Sequence, residues 1–150
     1  MTDLSNERKR VVASARSWLG TPYRHQASCK AVGCDCLGLI RGIWRETQGE
    51  EPEALPPYSN TWAETGGAEN LLNLGTKYFH KTKTSSAGDI VIFRMRRNAI
   101  AKHVGILVAD AKFIHAYDGN SVVETWMTDF WNKCLVSSFV FPSVFESERL

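Results

Sequence analysis

Cys36, His103 and His115 have the residue types and the chain order for nucleophilic chemistry by a thiol. Asp35 reads as the N-cap of a helix in which Leu37, Ile40, Ile43 and Trp44 keep the helical period until Gly49 ends it. Cys36 then falls in the first turn, where the positive end of the macrodipole favours the thiolate, the nucleophilic form. The plainer alternative is a small buried residue packing helix against sheet. An attacking thiol needs an imidazole to move its proton. His103, in Lys-His-Val-Gly-Ile-Leu-Val, and His115, in Phe-Ile-His-Ala-Tyr, both lie in strand-like runs.

Alternation puts His103, Gly105 and Leu107 on one face of the first run, and Phe113, His115 and Tyr117 on one face of the second. A three-residue loop, Ala109-Asp110-Ala111, would pair Val108 with Lys112. Gly105 would then stand opposite His115 with space left open, and His103 would be its diagonal neighbour. One histidine could act as base and the other orient it, a triad logic without an acid. A two-residue loop would send the histidines to opposite faces. Each histidine alone could equally be structural.

Other side chains invite different readings. His25, Cys29, Cys34 and Cys36 could ligate zinc, but a Cys-x-Cys spacing suits a tetrahedral cage poorly and would consume the nucleophile, so no metal is expected. A reversible disulfide from Cys29 or Cys34 to Cys36 could switch the thiol off. Arg94, Arg96, Arg97 and Lys102 precede or adjoin His103 and read as a solvated tip that could hold an anionic polymer. Trp62, Trp126 and Trp131 have apolar neighbours and read as core.

The elements that must position the candidates follow from pattern. Val11, Val12, Ala15, Trp18 and Leu19 share a helical face, predicting a helix over about residues 6–19 that Gly20 and Pro22 stop. A polar loop follows from Thr21 to Gly33, then the helix opened by Asp35. Residues 50–59 read as a loop and 60–80 as one or two short helices. From Ser86 the texture turns to strands: Asp89–Met95, Lys102–Val108, Lys112–Tyr117 and Val122–Thr125, with a turn at Asp118-Gly119-Asn120. Thr128–Cys134 reads as a short helix and Leu135–Phe141 as a last strand. Helices first and an antiparallel sheet second is an α+β arrangement in a single domain over residues 1–150.

Composition narrows the classes. The 150 residues suit one domain able to close a core without staples. With 43% hydrophobic and 23% charged residues the chain is not globally disordered. A net charge of +2 implies no strong field for nucleic acid. No run approaches the ~18 apolar residues of a membrane span. The first residues are charged with no apolar stretch behind them, so no secretory signal is expected, and synthesis in the cytoplasm with reduced thiols is the default.

Five segments together carry a resemblance: Trp18-Leu-Gly-Thr-Pro-Tyr23, Gly33-Cys-Asp-Cys36-Leu-Gly38-Leu, Ala87-Gly-Asp89-Ile-Val-Ile-Phe93, Lys102-His103-Val-Gly-Ile106 and Phe113-Ile-His115-Ala. In this order, over most of the chain, they resemble the NlpC/P60 family of cell-wall peptidases. Two histidines twelve residues apart separate the pattern from papain, whose third member is Asn. The order Cys, His, His disfavours the permuted acyltransferase relatives. The wording Pro-Tyr-Arg-His-Gln-Ala-Ser-Cys, with Cys-Asp-Cys-Leu-Gly-Leu-Ile-Arg-Gly, resembles the branch carried by phages and gene transfer agents.

The resemblance implies a papain-like fold, with Cys36 as nucleophile, His103 as base and His115 as its orienting partner. It makes Tyr23 and Asp35 substrate-binding residues, Asp35 being linked in relatives to the free amine of a stem peptide. Relatives usually carry a small hydroxyl residue where this chain has Leu37, whose backbone N–H remains a candidate oxyanion donor. The implied activity is hydrolysis of an amide in peptidoglycan stem peptides, at the γ-D-glutamyl–diamino-acid bond, without metal or cofactor. Expected partners are the peptidoglycan peptide and phage-like tail or baseplate proteins, which would carry the chain to the periplasm or cell wall. The competing expectations are a catalytically silent adaptor on the same fold and a related amidase or acyl-transfer enzyme.

Overall fold

The structure is a computed structural model that describes residues 4–53, 69–83, 85–96 and 99–149. Its first helix, α1 (Asn6–Ser17), is capped by Ser5, whose side chain accepts the Arg8 N–H, and ends two residues earlier than the apolar period predicts. Trp18 forms its C-cap, so Trp18 and Leu19 already belong to the turn. A short antiparallel hairpin follows, β1 (Ser28–Cys29) and β2 (Gly33–Cys34), inside the stretch read as loop. Helix α2 (Cys36–Thr47) begins where the sequence places it, with Asp35 accepting the Gly38 N–H at 2.7 Å.

The two glycines inside α2 have a packing reason. A Cβ on Gly38 would lie 1.9 Å from the carbonyl oxygen of Ala27, and one on Gly42 would lie 2.0 Å from the Trp18 ring. Gly38 therefore lets the preceding loop press onto the head of α2, and Gly42 receives the fully buried indole of Trp18, the C-cap of α1. The cost of glycine in a helix is exchanged for two close approaches that a side chain forbids.

Helix α3 (Asn70–Tyr78), within the 60–80 stretch read as one or two short helices, and strand β3 (His80–Thr82) come next; residues 60–68 of that stretch, with Trp62, lie outside the described residues, as does Arg97. Strands β4 (Ile90–Phe93), β5 (His103–Ala109), β6 (Lys112–Ala116) and β7 (Val122–Trp126) match the predicted runs, followed by α4 (Asp129–Cys134), β8 (Leu135–Val140) and α5 (Pro142–Glu148). The main sheet is antiparallel with order β3-β8-β4-β5-β6-β7. Strand β3 and helix α5 are not in the sequence reading.

Both faces of the sheet are covered. Ile92, Val104, Ile106, Ile114 and Ala116 join Val11, Ala15, Trp18, Leu39 and Ile43 of α1 and α2 in the principal core. Val91, Phe93, Leu107 and Phe113 form a second core on the other face, closed by Trp131 of α4 with Met127 and Leu135. This is why Ile90–Phe93 is buried throughout and reads as an unbroken apolar run rather than an alternation.

The β5–β6 hairpin corrects the expected turn. Ala109 pairs with Lys112 across a two-residue turn, Asp110-Ala111, and then Leu107 pairs with Phe113 and Ile106 with Ile114. Val108 is the extra residue of a β-bulge. The bulge restores the register that a three-residue loop would have set, so His103 and His115 share a face despite the short turn. Gly105 does not leave open space: a Cβ there would meet Phe113 at 2.8 Å and the His115 Cβ at 3.3 Å.

The ends of the chain are tied together. Arg8 pairs with the fully buried Asp89 at 2.7 Å and with Glu148 of α5 at 2.8 Å, and Ser5 donates to Glu148. Asp89 also accepts the Ser86 N–H at the entry to β4. Burial raises the Asp89 carboxyl, while the Ser86 amide and the Arg8 guanidinium pull the other way.

Candidate active site

Cys36 heads α2 and lines a cavity of about 470 Å³ together with His103, the first residue of β5. Tyr23, Asp35 and Leu37 line the same cavity, so all the predicted site residues except His115 face it. His115 stands behind His103, its Nδ1 2.7 Å from His103 Nε2. Its other nitrogen, Nε2, lies 2.9 Å from Thr125 Oγ1 on β7. The ring nitrogen of His103 left over by this chain is Nδ1.

The local sequence explains each placement. The segment entering the site is stitched on both sides: Gly20 N–H donates to the Val122 carbonyl at 2.9 Å, and the Cys34 N–H donates to the Pro22 carbonyl at 3.0 Å. Tyr23 consequently bridges to Cys34 beside the α2 head. Asp35, nearly fully buried, accepts two backbone N–H groups, Gly38 on Oδ1 and Gln26 on Oδ2, each at 2.7 Å. It thus fixes the 24–27 loop against α2 as well as capping it; Gln26 takes a φ of 65° to deliver its amide. Of the α2 amides, Gly38 is used by the cap and Leu39 donates to the Asp35 carbonyl. The Cys36 and Leu37 amides act instead on the thiol, as does the Val104 amide at the start of β5.

The electrostatics reverse one expectation. Burial first, and then the Asp35 carboxylate, push the Cys36 thiol up to about 12, against those three backbone amides. The helix terminus therefore does not hold a preformed thiolate here, because desolvation and an adjacent negative charge outweigh partial charges on the amides. Burial and then neighbouring His115 hold His103 down to about 3, and burial holds His115 down to about 4. The aromatic surroundings account for this: the Phe113 ring lies tilted at 4.5 Å and Trp131 edge-on at 5.3 Å from the His115 ring, with Trp131 5.8 Å and Tyr117 5.9 Å from His103. The resting pair is a thiol and a neutral imidazole. Tyr23 is likewise raised to about 12, chiefly by burial and next by Cys36.

Several side chains at the site are absent from the sequence reading. Thr125 sits two residues beyond Val123, the partner of His115 across the β6–β7 ladder, and so occupies the diagonal position. The Asp118-Gly119-Asn120 turn carried enough information to propose this register, since Asn120 N–H closes it on the Tyr117 carbonyl. Tyr117 and Asp118 also line the cavity, and so do Arg96 and Lys102, which the sequence placed on a solvated tip. Arg94 is no solvated tip: it pairs with Glu69 at 3.2 Å and donates to the Ala99 carbonyl. Trp126, expected in the core, is 60% exposed, with Lys112 4.3 Å over its ring, whereas Trp131 is core as expected.

The cysteines separate. Cys29 is exposed, while Cys34 is buried and pushed up to about 12 by that burial. Across β1–β2, Ser28 pairs with Cys34 and Cys29 with Gly33, so Cys29 and Cys34 point to opposite faces of the hairpin. Among the described residues no three His, Cys, Asp or Glu side chains converge as a metal site. None of the described helices is long and apolar enough to cross a membrane.

The NlpC/P60 family profile matches residues 20–140, and the chain belongs to the NlpC/P60 family. It is 30% identical over 127 residues to the murein DD-endopeptidase MepS/murein LD-carboxypeptidase of Escherichia coli K12, covering 84% of this chain and 58% of that protein. It is 26% identical over 122 residues to the gamma-DL-glutamyl hydrolase of Bacillus subtilis, covering 81% of this chain and 26% of that one. The chain therefore spans only part of the length of these curated relatives. Among solved structures, the fold resembles the NlpC/p60 domain of the peptidoglycan hydrolase SagA, with a TM-score of 0.60 and 21% identity over 89% of this chain and 98% of that one. It also resembles NlpC2 from Trichomonas vaginalis, with a TM-score of 0.62 and 19% identity over 94% of this chain and 48% of that one. At these identities the structural likeness concerns the fold.

Proposed function

We propose that this protein is a cysteine peptidase that hydrolyses an amide bond in peptidoglycan stem peptides. The observation that carries the reading is the placement of the Cys36 thiol and His103 in one cavity, with the second nitrogen of His103 held by His115. Family membership supplies the substrate class: the relatives cited above are named as acting on murein or on glutamyl bonds.

In this mechanism the Cys36 Sγ–H proton passes to His103 Nδ1 as sulfur attacks the carbonyl carbon. The resting forms are neutral, so transfer accompanies attack rather than preceding it. The oxyanion meets the amides of Cys36 and Leu37 at the α2 head, which act on the thiol before attack. His103 gives the proton to the leaving nitrogen, the C–N bond breaks and a thioester remains. Water then loses a proton to His103, adds to the thioester and releases the acid, and the proton returns to sulfur. Tyr23 and Asp35 line the cavity and would hold the peptide there. The relatives' names point to more than one bond type; the γ-D-glutamyl–diamino-acid bond is the one the motif resemblance favours.

The proposed setting is a phage-like particle or gene transfer agent whose tail proteins bring the chain to the periplasm or cell wall. The wording of residues 22–29 and 34–42 supports this branch. The primary test is digestion of purified peptidoglycan by the protein and by Cys36→Ala, with mass analysis of the fragments. Stem-peptide fragments from the parent protein alone are expected, and their masses identify the bond. Identical fragment sets from both would refute the Cys36 mechanism, and no fragments from either would favour a silent adaptor on the same fold.

A further inference from the structure

His103 works as a base only if its Nδ1 carries no proton, and this constrains atoms two residues away. With Nδ1 free, the neutral ring carries its proton on Nε2, which donates across the 2.7 Å contact to His115 Nδ1. His115 must then carry its own proton on Nε2, which points at Thr125 Oγ1, 2.9 Å away. The same direction is required once His103 has taken the thiol proton, because the imidazolium donates from both nitrogens. The chain of contacts could also run in reverse, from the Thr125 hydroxyl through His115 Nδ1–H to His103 Nε2. That arrangement leaves a proton on His103 Nδ1 and no base.

We propose that Thr125 is a positioning residue for the reaction, its hydroxyl oxygen accepting the His115 Nε2–H and so keeping His103 in the base-competent tautomer. Its chemistry suits the task. A hydroxyl accepts a hydrogen bond without bringing charge into an aromatic enclosure formed by Phe113, Trp131 and Tyr117, where a carboxylate would be expensive to bury. His115 is nearly fully buried, so its Nε2–H has little access to water as a substitute acceptor. Replacing Thr125 by valine keeps the shape and removes the oxygen. The Nε2–H tautomer of His115 then strands a buried donor, and the ring relieves this by moving its proton to Nδ1, blocking the base.

The inference rests on the hydrolase reading for its consequence but not for its test. In Thr125→Val, 15N NMR of ring-labelled histidine should show His115 changing from the Nε2–H to the Nδ1–H tautomer and His103 from Nε2–H to Nδ1–H. Thr125→Ser should keep the parent pattern. Turnover on peptidoglycan fragments should fall on the order of ten- to a hundredfold in Thr125→Val, the cost of an unsatisfied buried donor, with KM nearly unchanged and recovery in Thr125→Ser. Unchanged histidine tautomers in a folded Thr125→Val protein would overturn the role of Thr125, whatever the activity. A tautomer shift in Thr125→Val beside a parent protein that hydrolyses nothing would leave the positioning intact and remove the hydrolase reading instead.

Discussion

Two histidines held uncharged inside an aromatic enclosure leave a mark on stability as well as on reactivity. The unfolded chain protonates its histidines near pH 6.5, whereas His103 and His115 resist protonation in the fold down to about 3 and about 4. Below about pH 6.5 the unfolded state therefore binds protons that the folded state refuses, and stability falls as pH drops. Each histidine contributes a loss of about 1.4 kcal/mol per pH unit between the two values. Urea midpoints measured at pH 7 and pH 5 should fall on acidification, and His115→Asn should show a visibly shallower fall. Equal slopes in the two proteins would mean that His115 is not held neutral. Residue types and order were enough to select Cys36, His103 and His115. The thiol's charge state was not legible, because it depends on how deeply the α2 head is buried and on Asp35 beside it, and neither is a local property of the sequence.

Helix α2 shows how an element can be read correctly and its reason still be missing. Its start at Asp35 and its stop before Gly49 were visible in capping residues and period, and so was the anomaly of two internal glycines. What met those glycines was not visible, since Ala27 precedes the helix by a loop and Trp18 belongs to another element. The structure turns the anomaly into a sign. On an exposed helix, glycine to alanine gains roughly 1 kcal/mol. Gly42→Ala should instead cost on the order of 1–3 kcal/mol, because the new methyl enters the buried Trp18 ring and the core must shift. Thermal or urea denaturation of Gly42→Ala checks this, and a stabilised variant would contradict the packing described. Short elements escaped the sequence reading for a different reason. The β1–β2 hairpin and β3 have two or three residues per strand, too few for alternation to register.

At the scale of the whole molecule, α1, α2 and the sheet form one core while α4 closes the other face, and the cavity opens where the α2 head meets the start of β5. The α+β class and the strands from β4 to β8 were legible because each run is β-branched or aromatic and bounded by turn residues. The sheet order was not, because β8 inserts between β3 and β4 and such a long-range pairing leaves no local trace. The proposed delivery by a tail-like particle belongs to this scale too. Purified particles from the producing cells should contain this chain at a fixed ratio to tail proteins by mass spectrometry, and particles carrying Cys36→Ala should assemble normally but infect or transfer less well. Particles that lack the chain altogether would end that reading.

The bulge at Val108 has a genetic consequence. Alternation makes the face on which a strand residue lies a matter of odd or even count from the turn, and Val108 is the one unpaired residue that sets the count between His103 and His115. With the two-residue turn and a regular ladder that kept Val108, Val108 would face Phe113 and His103 would turn away from His115, whereas losing the Val108 codon removes only the bulge and leaves Leu107 opposite Phe113. Spelling errors in this hairpin are thus unequal. A three-base deletion at Val108 costs only the bulge, whereas one between His103 and Leu107 changes the count from the turn and turns His103 away from a site whose own residues are all still present.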